Sequence, residues 1–186
     1  MTYLTEMNEA IARAGRLRLN CPGFKPQNGK LLTEKTLKEI PSVVKDTVGY
    51  LSVSAVAGQC LSYHLRLRSA LRDYFGTEVT YTIGYVSMGE ETIFEQTEEQ
   101  MKGLMSSKGF RPLLNIHAWL TLPTCEVMDF TLPTTYAVMN QTEQGYGEGY
   151  GGVIAGHADH LQQGVRYRPM LLGEDYLRKI GALLEF

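Results

Sequence analysis

Residues 58–85, GQCLSYHLRLRSALRDYFGTEVTYTIGY, restrict the fold more than any other part of the chain. Cys60, Tyr63, His64, Leu67, Leu71 and Tyr74 recur at steps of three and four, which aligns them on one face of an α-helix. Gly76 stops that helix. Val79, Tyr81 and Ile83 then alternate with Thr80, Thr82 and Gly84, the pattern of a strand with one buried face. The spacing predicts a buried helix feeding directly into a sheet, so that helices pack on strands.

Cys60 falls in the first turn of this helix, where unpaired backbone N–H groups and the positive end of the helix dipole stabilise a thiolate. Two readings follow: a buried small apolar residue, or an activated thiol. A second stretch, 115–131, NIHAWLTLPTCEVMDFT, reads as strand, short turn and strand, with His117 near its start and Asp129 at its end. Neighbouring strands bring such positions side by side. A thiol, an imidazole and a carboxylate are the parts of a nucleophile, its base and the group that orients the base. Each has an alternative: His117 as a core histidine, Asp129 as a turn cap before Phe-Thr-Leu-Pro, and His64, one turn beyond Cys60, as a rival base. The oxyanion of such a reaction would meet the Cys60 backbone N–H and a second donor, for which Gln59 is the candidate and Tyr50 a further one. His157, Asp159 and His160 form a third polar group, and with Cys60, Cys125 and His117 they offer a metal alternative. The chain lacks CxxC and HExxH, and neither a metal nor another cofactor is expected.

The order of these motifs resembles the transglutaminase-like superfamily of papain-like fold, in particular its bacterial cysteine-protease type. The resemblance rests on Gly58 and Cys60 as G-x-C at a helix start, Leu71–Arg72 with the closing Gly76, Gly84–Tyr85 at a strand end, His117-Ala118-Trp119, and Asp129 with Thr131. It covers residues 58–131. It implies an α+β fold in a single domain over 1–186, with a central helix that carries the cysteine near the start of the core and packs on an antiparallel sheet. It further implies a Cys60, His117, Asp129 triad acting on an amide or peptide bond of a peptide or protein substrate. Acyl transfer to an amine and a protein-binding module with a vestigial triad are the alternatives within the superfamily. Its cross-linking members use an upstream tryptophan at the oxyanion, whereas Trp119, the only tryptophan here, follows the histidine. His64, Trp119, Tyr146 and Tyr150 are the expected lining of a substrate cleft.

The net charge of −2 argues against nonspecific nucleic-acid binding. The first fifteen residues lack the basic start and apolar run of a signal peptide, and no apolar stretch approaches the ~20 residues that span a bilayer. Three cysteines, Cys21, Cys60 and Cys125, leave one unpaired in any arrangement, which suits a reducing, cytoplasmic setting without membrane partners. Outside the core, helices are expected over 2–14, from a cap at Thr33 with a kink or restart at Pro41, over 90–102 and over 173–186. Residues 132–139 read as strand or helix, 165–167 as a last strand, and the glycine-rich 141–160 as a loop, with a flap over the cleft as its alternative.

Overall fold

A computed structural model describes residues 1–107, 114–141, 151–162 and 164–183. It is an α+β structure: helices pack on a six-stranded sheet in which every pairing is antiparallel. The helices are α1 (Tyr3–Arg16), α2 (Glu34–Val48), α3 (Val53–Val56), α4 (Cys60–Phe75), α5 (Glu98–Ser106), α6 (Leu132–Met139) and α7 (Asp175–Lys179). The strands are β1 (Thr80–Met88), β2 (Glu91–Ile93), β3 (His117–Thr121), β4 (Glu126–Asp129), β5 (Ile154–His157) and β6 (Val165–Leu172). They run β2-β1-β3-β4-β5, with β6 also paired to β1.

The helix expected after Gly58 forms. Cys60, Tyr63, His64, Leu67 and Leu71 are its buried face, and Gly76 ends it at φ 62° in the left-handed region that glycine enters without a Cβ penalty. That face meets β1 and β3. Tyr81 and Ile83 turn inward from β1 into the same core as Leu67 and Leu71. Gly84 faces His117 across the β1–β3 pairing, and the β1–β6 register shifts beside it. A Cβ at Gly84 would lie 2.1 Å from the Arg168 carbonyl oxygen and 2.7 Å from the Trp119 ring. Only glycine fits there.

Elsewhere the expectations need correction. Helix α1 continues through Gly15 to Arg16, and α2 continues through Pro41 without restarting, held by the burial of Ile40 and Val48 and by packing on α4. Residues 91–93 pair with β1 as a strand, and α5 starts only at Thr97, whose hydroxyl and the Gln100 side chain form a reciprocal capping box. Residues 132–139 are helix. Within the expected loop, Ile154–His157 form β5 against β4. The last strand reaches Leu172, and the C-terminal helix is short because Gly181 takes φ 72° just beyond its end.

Candidate functional site

Asp129 closes β4 and is fully buried, with both of its carboxylate oxygens hydrogen-bonded. Its Oδ1 accepts the backbone N–H groups of Thr131 at 2.9 Å and Leu132 at 3.0 Å and the Thr131 hydroxyl at 3.2 Å. These are donors at the start of α6, so this oxygen serves as a cap. Its Oδ2 meets Nε2 of His117 at 2.5 Å and the Tyr167 hydroxyl at 2.8 Å. Capping a turn and orienting an imidazole were alternatives in the sequence. The structure gives one carboxylate oxygen to each.

His117 is itself buried at the start of β3. Nε2 is bound to Asp129, and the Cys60 sulfur lies close enough to act electrostatically on the ring. The Cys60 sulfur also lies 3.6 Å from the carbonyl oxygen of Ile116, the residue before His117. Burial alone would lower the pKa of His117. The Asp129 carboxylate, its hydrogen bond and the nearby Cys60 sulfur outweigh it and hold the imidazole up at about 10. Asp129 moves the other way: burial opposes its charge, yet His117 and the α6 donors keep it well below the usual carboxylate range. The pair is therefore imidazolium and carboxylate at neutral pH.

Phe94 and Trp119 sandwich the His117 ring, with centroids at 5.2 and 5.9 Å and interplanar angles of 19° and 28°. Phe94 holds φ 68°, a strained left-handed conformation for an aromatic residue. Trp119 is fixed in turn: its indole N–H donates to the Tyr3 hydroxyl at 2.8 Å, which continues to Thr121 and Thr82 at 2.8 Å each, and its ring meets Tyr167 edge-on. Tyr167, Phe94 and Tyr3 escaped the sequence reading. Tyr167 lay on an expected strand, but nothing in its neighbours signals a partner 38 residues away.

His64 turns away from the Cys60 side chain to backbone groups. Its Nδ1–H donates to the Cys60 carbonyl oxygen at 2.9 Å, and its Nε2 accepts the Phe130 N–H at 3.0 Å, so both nitrogens are spent on backbone. Burial, opposed by Asp129, lowers its pKa to about 4 and keeps it neutral. His64 and Trp119 were expected to line a cleft, but both are fully buried beneath the site, because each closes a hydrogen bond inside the core. Tyr146 and Tyr150 lie outside the described residues. Gln59 is exposed at the α4 N-cap. Its backbone N–H is given to Val56 O at 3.1 Å and its Oε1 lies 3.4 Å from the Ser62 hydroxyl, which leaves the side-chain NH₂ as its donor. Tyr50 projects into solvent near Lys45.

Among the described residues no group of three His, Cys, Asp or Glu side chains could hold a metal ion, and no helix is long and apolar enough to cross a membrane. His157 and His160 sit ring to ring at 5.0 Å, with Asp159 turned instead to the Tyr3 N–H at 2.8 Å. Comparison with protein-family models, with curated proteins and with solved structures finds no match to the chain.

Proposed function

We propose that the protein carries out thiol-dependent acyl chemistry on an amide or peptide bond, with Cys60 as nucleophile, His117 as acid and base and Asp129 as the group that orients His117. The observation that carries this reading is the buried 2.5 Å contact between His117 and Asp129, with the Cys60 sulfur 3.6 Å from the carbonyl oxygen of Ile116, the residue before His117. Both the order of the three groups and the start of α4 under the sulfur are what a thiolate–imidazolium pair requires.

In this reading the thiolate attacks the carbonyl carbon, and the oxyanion is met by the Cys60 backbone N–H and the Gln59 side chain. As the C–N bond breaks, imidazolium gives its proton to the departing amine. The thioester leaves the sulfur uncharged, so His117 loses one of the charges that raised its basicity and accepts the proton of an attacking water. An amine entering instead of water completes acyl transfer. The near-complete burial of Cys60 and His117 favours one rival, a protein-binding module that keeps the triad as a core element.

Alkylation separates the two. Iodoacetamide should label Cys60 faster than Cys21 or Cys125, whose thiol pKa values are both pushed up by burial, and His117→Ala should slow Cys60 alone. Equal rates at the three thiols, or a Cys60 rate indifferent to His117, would leave the binding module as the better reading. A trapped acyl-enzyme on Cys60, competed by added amine, would then divide hydrolysis from transfer.

A further inference from the structure

Most of the large apolar side chains that the described residues leave in solvent are gathered in one place. Among the described residues such side chains are Met1, Leu37, Tyr50, Leu51, Met139 and Val153, and four of the six, Leu37, Tyr50, Leu51 and Val153, rim a single groove of about 490 Å³ between α2, the segment after it, and β5. That volume falls within the range of ligand sites. Scattered apolar residues need no account, whereas a contiguous rim around a concavity marks a binding surface.

Residues close in sequence to two members of the proposed triad line the groove. Val56 and Tyr63 line it from four residues before and three residues after Cys60, and Phe130 lines it from the position after Asp129. Helix α6 links the two directly: Thr134 faces the groove, and the hydroxyl of the next residue, Thr135, accepts the N–H of Gly58 at 3.0 Å. The groove also runs along β5, the last strand of the sheet order, with Gly151, Val153 and Ala155 contributing alternately from that segment. Among the described residues no strand pairs with the outer edge of β5, whose backbone groups suit another peptide rather than a hydrocarbon tail. Lys45 is the only charged residue on the wall, with its Nζ 4.7 Å above the Tyr50 ring at the rim.

We infer that this groove seats an extended apolar peptide segment, bearing an acidic residue that meets Lys45, and so selects the substrate offered to Cys60. The inference rests on the function proposed above, and its test is chosen to tell the two apart. Chloroacetyl tripeptide amides of sequence Leu-Val-Glu, Leu-Val-Lys and Ser-Gly-Ser, with N-octyl chloroacetamide as a non-peptide apolar control, are reacted with the full chain, and the adduct is located by mass spectrometry. The Cys60 sulfur displaces chloride to form a thioether.

The Leu-Val-Glu probe should label Cys60 at least about tenfold faster than Ser-Gly-Ser, the selectivity that burial of two or so methylenes supplies. It should also exceed Leu-Val-Lys and the octyl probe. Val153→Asp and Tyr50→Asp, both at solvent-exposed positions, should each bring the Leu-Val-Glu to Ser-Gly-Ser ratio towards one, and Lys45→Glu should invert the preference between Glu and Lys. Equal labelling of Cys60 by all four probes would overturn the groove inference and leave the reactive thiol standing. Preference for the octyl probe would overturn the peptide as occupant. Labelling at Cys21 or Cys125 with none at Cys60 would remove the proposed function, and the groove inference with it.

Discussion

Asp129 shows how much one buried side chain carries. With Oδ1 on the first turn of α6 and Oδ2 on His117 and Tyr167, its charge is held by five donors. Asp129→Asn removes the charge while keeping an acceptor for the α6 cap. The terms that raise His117 then shrink, burial dominates, and the His117 pKa should fall from about 10 to below its ordinary 6.5. Imidazole NMR across pH reads this directly, and an unmoved titration would deny Asp129 its orienting role. Alkylation of Cys60 by iodoacetamide should drop on the order of 10³-fold in His117→Ala if the imidazole activates the thiol. In His64→Ala the loss should be small, because both nitrogens of His64 serve the backbone. A larger loss in His64→Ala than in His117→Ala would exchange their roles. Tyr167→Phe deletes one donor to a buried carboxylate and nothing else, and a urea titration should find it less stable by about 1–3 kcal/mol.

At the scale of elements, the helix–strand unit of α4 and β1 was legible because both its periodicities and its stop signal are local. Gly84 shows the limit of that legibility. The sequence offers it as one more residue of an alternating strand, whereas its need for glycine comes from Arg168 and Trp119 on two other strands. Gly84→Ala should therefore be among the most damaging single-methyl changes. Thermal melting should show a loss of roughly 3 kcal/mol or more, the scale of overpacking against backbone, and a neutral result would mean that β6 can move aside. The start of α5 was also written locally, in the Thr97 and Gln100 of its capping box, while Ile93 and Phe94, at helical spacing from Thr97 and Met101, drew the expected helix too far forward. Strand β5 had no such signal. Its four residues carry little apolar content, and they become a strand because β4 offers a pairing edge.

For the molecule as a whole, three buried groups predict a stability profile with a loss on each side of neutrality. His64 has a folded pKa lowered to about 4 from 6.5, so its contribution is complete above 6.5 and is lost as pH falls through about 4. Asp129, also lowered, contributes above its ordinary 3.8 and loses that contribution at still lower pH. His117, raised to about 10, contributes fully below 6.5 and loses its part as pH rises through about 10. Melting temperature against pH should thus be highest near neutrality and fall on both limbs. The His117→Ala protein should lack most of the fall between pH 6.5 and about 10, below the range where the buried Tyr3, Tyr81 and Tyr167 phenols add their own loss, and a fall that survives there would place its origin elsewhere.

What the sequence determined by itself is the local part of this protein: a helix that begins at Cys60 and ends at Gly76, the strand after it, and the three residue types that a thiol site needs, in order along the chain. Spacing and caps fix these because each depends on neighbours within a few positions. Only the tertiary structure decided that His117 meets Asp129 while His64 spends both nitrogens on backbone, and that Asp129 divides its oxygens between a helix cap and an imidazole. It alone brought Phe94 and Tyr167 to the site and gathered exposed apolar residues from α2, the segment after it and the position before β5 around one groove. Those outcomes depend on contacts between residues tens of positions apart, whose geometry is set by how helices and strands pack together and not by any pattern that a single stretch of chain displays.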